Sequence, residues 1–130
     1  MKEKIISIKD LKFKINKLKK KNKKIVLCHG VFDLLHLGHI IHFKEAKKYG
    51  DILVVSLTAD KFVSKGPGRP AFNEKNRLEA ISSLSIVDYV LVNNSKTAIP
   101  VINEIKPNIY CKGPDYKNHK NDLTNEIKNE

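Results

Sequence analysis

HGVFDLLHLGH, residues 29–39, is the stretch that decides the fold of this chain. The residues before it, Ile25-Val26-Leu27-Cys28, form an apolar, β-branched run of the kind that makes a buried strand. After it, Ile40, Phe43, Ala46 and Tyr49 recur at helical spacing. A strand, a glycine-containing turn and a helix start therefore meet within about fifteen residues. Gly30, Asp33, His36, Gly38 and His39 crowd into that turn. The first backbone N–H groups of a helix have no partner within the helix, and they make its N-terminus a natural anion site. The chemistry is expected here.

Working outward, 130 residues suit one domain with one substantial core. A composition of 41% hydrophobic and 30% charged residues is that of a soluble globular chain, not a disordered one. The longest apolar runs, residues 25–28 and 52–55, are far too short to span a bilayer. The first ten residues are charged and lack an apolar h-region, which argues against a secretory signal. Cys28 and Cys111 fall at the ends of expected strands without metal-ligand spacing. They read as reduced thiols, and the expected location is the cytoplasm.

The net charge of +11 is unevenly placed. Residues 1–24 hold eleven lysines against Glu3 and Asp10, whereas residues 25–130 hold fourteen Lys and Arg against twelve Asp and Glu. The basicity belongs to the leading segment. Residues 1–22 read as a Lys-rich lead-in helix and residues 23–130 as the domain proper. Arg and aromatic residues do not interleave with those lysines as nucleic-acid contacts require, so a solvated helix face is favoured over a polynucleotide surface. Lysine is the general cation of this chain, and only Arg69 and Arg77 depart from it. Bidentate clamping of a phosphate or carboxylate is a task that lysine does poorly, and both arginines are candidates for it.

In chain order, Ser7 and Asp10 make a capping-box-like pair, and Ile8, Leu11, Ile15 and Leu18 share a helical face up to about residue 21. Strands are expected at residues 25–28, 52–57, 87–92 and 109–111, and helices at 37–49, 74–84 and 98–105. Gly50 is expected as the C′ residue of the helix before it. This alternation predicts an α/β fold, a Rossmann-like, doubly wound parallel sheet in a single domain with an N-terminal lead-in helix. Ligands in such sheets bind beyond the carboxyl ends of the strands. Those ends carry His29/Gly30, Thr58/Asp60, Asn93/Asn94 and Lys112/Gly113/Asp115.

A metal site on His39 and His42 lacks further ligands at suitable spacing, and no metal-ligating residue is expected. The glycines could serve backbone geometry alone, Gly30 for the turn and Gly38 for close packing. The sharper reading is phosphate handling. Gly30 lets the backbone turn under a phosphate, and Gly38 lets a nucleotide approach the helix start. His36 and His39 then donate hydrogen bonds to non-bridging oxygens as charge builds at phosphorus. The Walker A and G-x-G-x-x-G patterns are absent, so neither a P-loop NTPase nor a dinucleotide binder is indicated.

HGVFDLLHLGH resembles the G-x-F-D-x-x-H-x-G-H signature of the cytidylyltransferase-like nucleotidyltransferases. Further agreements follow in order: LTAD (57–60), KGPGRP (65–70), Arg77 within NEKNRLEA, VDYV (87–90) and KGPDY (112–116). The resemblance covers about residues 5–120 and is strongest to the nucleotidyltransferase domain of ADP-heptose synthases, with glycerol-3-phosphate cytidylyltransferases next. It implies transfer of a nucleoside monophosphate from ATP or CTP to a phosphorylated sugar or polyol, with Mg²⁺ and release of pyrophosphate. It also implies a homodimer and a sugar kinase as fused or separate partner.

The resemblance assigns catalysis to His36 and His39. It assigns nucleotide binding to the backbone around Val31 and Phe32 and to Gly38, Lys65 and Asp115, with Asp33 supporting the site, and the acceptor phosphate to Arg77. Gly30, from the turn, joins the nucleotide-binding set and Arg69, from its scarcity, the phosphate set. Two departures stand out. Ser85 occupies a position where some relatives carry Arg. The Ser/Thr-rich motif that normally follows KGPDY has no counterpart, Thr124 standing alone. The chain is therefore expected to be truncated at its C-terminus, and a nucleotide-binding module without turnover is the alternative.

Overall fold

The computed structural model describes residues 4–63 and 72–111. Four helices and four strands alternate: α1 (Ile8–Lys20), β1 (Ile25–Gly30), α2 (Leu37–Lys47), β2 (Ile52–Thr58), α3 (Glu74–Ser82), β3 (Tyr89–Asn93), α4 (Ile99–Ile105) and β4 (Ile109–Cys111). The strands make one parallel sheet in the order β3-β2-β1-β4. The expected doubly wound architecture is the observed one.

Two apolar layers sandwich the sheet, and the alternation of side chains along each strand sorts residues between them. Val26 and Cys28 of β1, Leu53, Val55 and Leu57 of β2 and Val90 of β3 join Phe43 and Ala46 of α2 and Ile81 of α3. On the opposite face Ile25, Leu27, Val54, Leu91 and Tyr110 pack with Leu11 and Ile15 of α1 and with Val101, Ile102 and Ile105 of α4. The Lys-rich lead-in helix is thus part of the core. Its stripe is fully buried at Leu11 and Ile15, and its start is capped by Ser7, whose Oγ accepts from the Asp10 N–H at 3.2 Å. Just before it, Ile5 forms a parallel bridge with Val90 and extends the β3 edge.

Several boundaries differ from expectation for local reasons. The second helix stops at Lys47 with Lys48 as its cap, not at residue 49. Gly50 is needed for space, not for a left-handed turn: a Cβ there would lie 2.9 Å from the Lys24 carbonyl oxygen and 2.7 Å from Val26 Cγ2. The third helix ends at Ser82, where the hydroxyls of Ser82 and Ser83 both donate to the Glu79 carbonyl at 2.9 Å and compete with the helical pattern. β3 begins at Tyr89 instead of residue 87, since the Val87 N–H turns back to the Leu84 carbonyl at 3.1 Å, and the strand's start is fixed by Asp88. Its Oδ2 accepts from the Leu53 N–H at 2.7 Å and from Lys47 Nζ at 2.6 Å, pinning β2 and α2 to the start of β3.

The order of strands fixes where a ligand would sit. From β1 the chain moves outward to β2 and β3, and α4 then carries it back past β1 to β4. The direction of winding reverses between β1 and β4. Open parallel sheets bind ligands beyond the carboxyl ends of the strands at such a switch point, and residues 29–39 follow directly from β1 there.

Candidate functional site

The signature turn is held by a reciprocal pair of histidines. His36 is the N-cap residue of α2, in extended backbone conformation. Its Nδ1 accepts from the Gly38 N–H at 3.0 Å, and the Nδ1 of His39 accepts from the His36 N–H at 3.1 Å. The rings lie 4.1 Å apart between centroids. In a neutral imidazole only one nitrogen carries hydrogen. With Nδ1 accepting in both rings, the neutral form of each carries its proton on Nε2. The cap therefore turns two histidines into a pair of Nε2–H donors at a helix N-terminus. Burial, and then the neighbouring His36 and His42 imidazoles, hold His39 below the ordinary histidine value, so it stays neutral near pH 7.

The two glycines and Phe32 shape the support beneath this pair. A Cβ on Gly38 would lie 2.7 Å from His36 Cε1, so the glycine is what lets the His36 ring fold over the helix start. Phe32 sits at φ 52°, a left-handed conformation uncommon for a bulky residue. Its ring turns back under Gly30, where a Cβ would lie 2.9 Å from Phe32 Cζ. The same ring meets His39 edge-on at 5.5 Å and Phe43 at 5.2 Å. The backbone strain at Phe32 thus supports the ring that positions His39.

Arg77 is 2% exposed and ties the surrounding loops together. Its Nη1 donates to the carbonyls of Val31 at 3.0 Å and Thr58 at 2.7 Å, and its Nε donates to Phe72 at 3.1 Å. Nη2 pairs with Asp60 Oδ1 at 2.5 Å. One guanidinium joins the turn after β1, the end of β2 and the entry to α3. Asp33 adds a second tie, its Oδ1 accepting from the Phe72 N–H at 2.9 Å. A cavity of ≈ 350 Å³ lies against these groups, lined by Phe32, Asp33, Leu35, Phe72, Asn76 and Arg77 among others. The expectation of a phosphate-facing Arg77 meets a side chain already committed to protein acceptors, though it still lines the cavity.

Of the residues singled out in the sequence, His36, His39, Gly30, Val31, Phe32, Asp33 and Gly38 come together at the turn, and Arg77 buttresses it from α3. Lys65, Arg69 and Asp115 lie outside the described residues. Sequence reasoning did not assign a site role to His29. Its Nδ1 lies 2.6 Å from Ser56 Oγ on the opposite face of the sheet, and burial lowers its pKa to about 4 against a smaller opposing effect of the Ser56 hydrogen bond. Nor did it assign Asp60 to Arg77. The signal was present in both cases: each stands at a strand's carboxyl end, and Arg77 is one of only two arginines. Among the described residues no group of three or more His, Cys, Asp or Glu side chains converges as a metal site would.

A parallel sheet whose switch point faces a helix N-terminus capped by two imidazoles defines a Rossmann-like domain with an anion-ready edge. The description of the cytidylyltransferase-like family matches residues 27–130, and the chain belongs to that family. It is 43% identical over 103 residues to the bifunctional protein HldE of Aliarcobacter butzleri, covering 78% of this chain and 22% of that protein. It is 40% identical over 116 residues to the bifunctional protein HldE of Desulfatibacillum aliphaticivorans, covering 88% and 24%. The chain thus spans under a quarter of the length of these relatives. The crystal structure of the lipopolysaccharide core biosynthesis protein from Thermoplasma volcanium GSS1 superposes with a TM-score of 0.68 at 38% identity, over 82% of this chain and 88% of that one. No helix among the described residues is long and apolar enough to cross a membrane.

Proposed function

We propose that this domain transfers a nucleoside monophosphate from ATP or CTP to a sugar phosphate of the heptose 1-phosphate type, releasing pyrophosphate. The observation that carries the reading is the histidine cap. It presents two Nε2–H donors at a helix start, where an oxyanion is favoured by both hydrogen bonding and the helix dipole. The reaction needs little covalent work from the protein. An oxygen of the acceptor phosphate attacks the α-phosphorus in line and the bond to pyrophosphate breaks. The charge on the non-bridging oxygens is met by fixed donors that need no reorganisation.

A neutral His39 fits this role, because it donates without adding a charge that would hold the product. The nucleotide arrives as its Mg²⁺ complex, the metal travelling with the triphosphate. The cavity beside Asn76 and Arg77 lies against the same turn and suits the acceptor. The family resemblance assigns Lys65 to the phosphates and Asp115 to the nucleoside, and the scarcity of arginine in this chain makes Arg69 a further phosphate candidate. The relatives are named as bifunctional and this chain matches only part of each, which supports a second activity, and the lipopolysaccharide core biosynthesis protein of similar structure supports a sugar acceptor. A sugar kinase, fused or separate, is the partner that would supply a phosphorylated acceptor.

The test is pyrophosphate release by the native gene product with ATP or CTP and heptose 1-phosphate. His36→Ala and His39→Ala are each expected to lower turnover by about 10²–10³, the usual loss for one such donor. No release with either nucleotide and any phosphorylated sugar or polyol overturns the reading, and unchanged turnover in both variants removes the histidines from it.

A further inference from the structure

Cys28 and Cys111 are the two cysteines of this chain, and the fold sets them opposite each other as register partners of β1 and β4. Both leave the sheet on the face covered by α2 and α3 and join the same apolar cluster. They are 0% and 3% exposed and are not joined by a disulfide. Neighbouring strands run about 4.8 Å apart, inside the window of roughly 4.4–6.8 Å between Cα atoms that a disulfide can span. As register partners on one face of neighbouring strands, the two side chains are neighbours. Burial first, and then the neighbouring Cys111 thiol, raise Cys28, while the neighbouring Cys28 thiol lowers Cys111 against the effect of burial. Cys111 is therefore the sulfur more ready to ionise.

Their position gives the pair consequence. Cys28 is followed at once by His29 and Gly30, the start of the signature turn, and Cys111 ends β4 across the switch point. Any small apolar residue would fill either place as packing. Two register-matched thiols on one face, at the switch point of the sheet, are also a dithiol.

We propose that Cys28 and Cys111 form a peroxide-sensitive dithiol that closes to an intramolecular disulfide beneath the signature turn and switches the site above it. The oxidant is hydrogen peroxide, small enough to enter a packed interior. The Cys111 thiolate attacks one peroxide oxygen, the O–O bond breaks, and the departing hydroxide takes a proton to become water, leaving a sulfenic acid. Cys28 then gives up its proton and its sulfur attacks Cys111 Sγ. The S–O bond breaks and a second water leaves. Two thiols are oxidised to one disulfide and one peroxide is reduced to two waters. A thiol reductant reverses the bond by exchange. Closure replaces a contact between two thiols by a covalent tie between the carboxyl ends of β1 and β4, one residue before the turn that carries the histidine cap. Its effect on turnover rests on the nucleotidyl-transfer reading; formation of the bond does not.

The experiment exposes the full folded chain to equimolar hydrogen peroxide, traps free thiols with a maleimide in denaturant, and reads intact mass and a peptide map. The expected result is a mass lower by about 2 Da, no maleimide uptake, and a peptide joining Cys28 to Cys111, all reversed by dithiothreitol. Cys28→Ser and Cys111→Ser should each abolish the cross-link, and the unsubstituted chain decides the matter by itself if a variant does not fold. Two trapped thiols, sulfinic acids without a cross-link, a cross-link between copies, or a cross-link that forms only in denaturant each overturn the proposal. Calorimetry with MgATP and MgCTP reads the switch: binding should be lost on oxidation and regained on reduction. Unaltered binding by the cross-linked chain overturns the switch. A chain that cross-links and binds nucleotide reversibly, yet never releases pyrophosphate, refutes the nucleotidyl-transfer reading and leaves the dithiol standing.

Discussion

Acidification from about pH 7 to about pH 4 is expected to weaken the fold through His29, a group on the face of the sheet away from the histidine cap. Burial lowers its pKa from 6.5 to about 4, so the folded chain refuses a proton that the unfolded chain accepts. The sign follows from linkage: stability is fully present above the unfolded value and falls as pH drops below it, levelling off beneath the folded value. Each pKa unit of difference is worth about 1.4 kcal/mol, so a shift from 6.5 to about 4 corresponds to about 3 kcal/mol at most. That is a large share of the roughly 5–15 kcal/mol of a typical domain. His39, also lowered, acts in the same direction. The assay is urea unfolding at several pH values for the unsubstituted chain and for His29→Gln. Glutamine keeps a polar partner for Ser56 Oγ, which now lies 2.6 Å from His29 Nδ1, and does not titrate. The variant should lose less stability per pH unit, by about 1.4 kcal/mol between pH values near 6 and 5. Parallel slopes would refute the argument that burial keeps His29 neutral.

Three further outcomes are expected. Gly38→Ala should displace the His36 ring, because the new Cβ would stand 2.7 Å from Cε1; turnover should drop more than stability, as read by pyrophosphate release beside thermal melting. Arg77→Lys should destabilise by about 3–5 kcal/mol, since an ammonium cannot reach the Val31, Thr58 and Phe72 carbonyls and Asp60 together; urea unfolding measures it. Asp88→Asn should cost about 1–3 kcal/mol by weakening the ties to Leu53 N–H and Lys47 Nζ, with the loss read in the same assay and nucleotide affinity little changed.

Much of this molecule is legible in one dimension because periodicity is a local property. The alternation of strands and helices, the burial of residues 52–58 on both faces and the capped start at Ser7 all follow from spacing that any folded context would respect. So does the location of the site, since glycines and imidazoles at a strand-to-helix turn mark a helix N-terminus wherever the chain goes. Element ends were harder to read. Ser82 and Ser83 stop their helix, and the Val87 N–H delays β3, through hydrogen bonds whose partners the sequence does not name.

What HGVFDLLHLGH determined by itself was a phosphate-ready turn with two histidines in it. Only the tertiary structure decided how the imidazoles are used, because tautomer depends on which N–H each Nδ1 meets. It also decided that Arg77 serves as a tie among three loops, since its acceptors at positions 31, 58, 60 and 72 become neighbours only when β1, β2 and α3 pack. Cys28 and Cys111 make the same point across the greatest distance: eighty-three residues apart in sequence, they become partners through strand register alone.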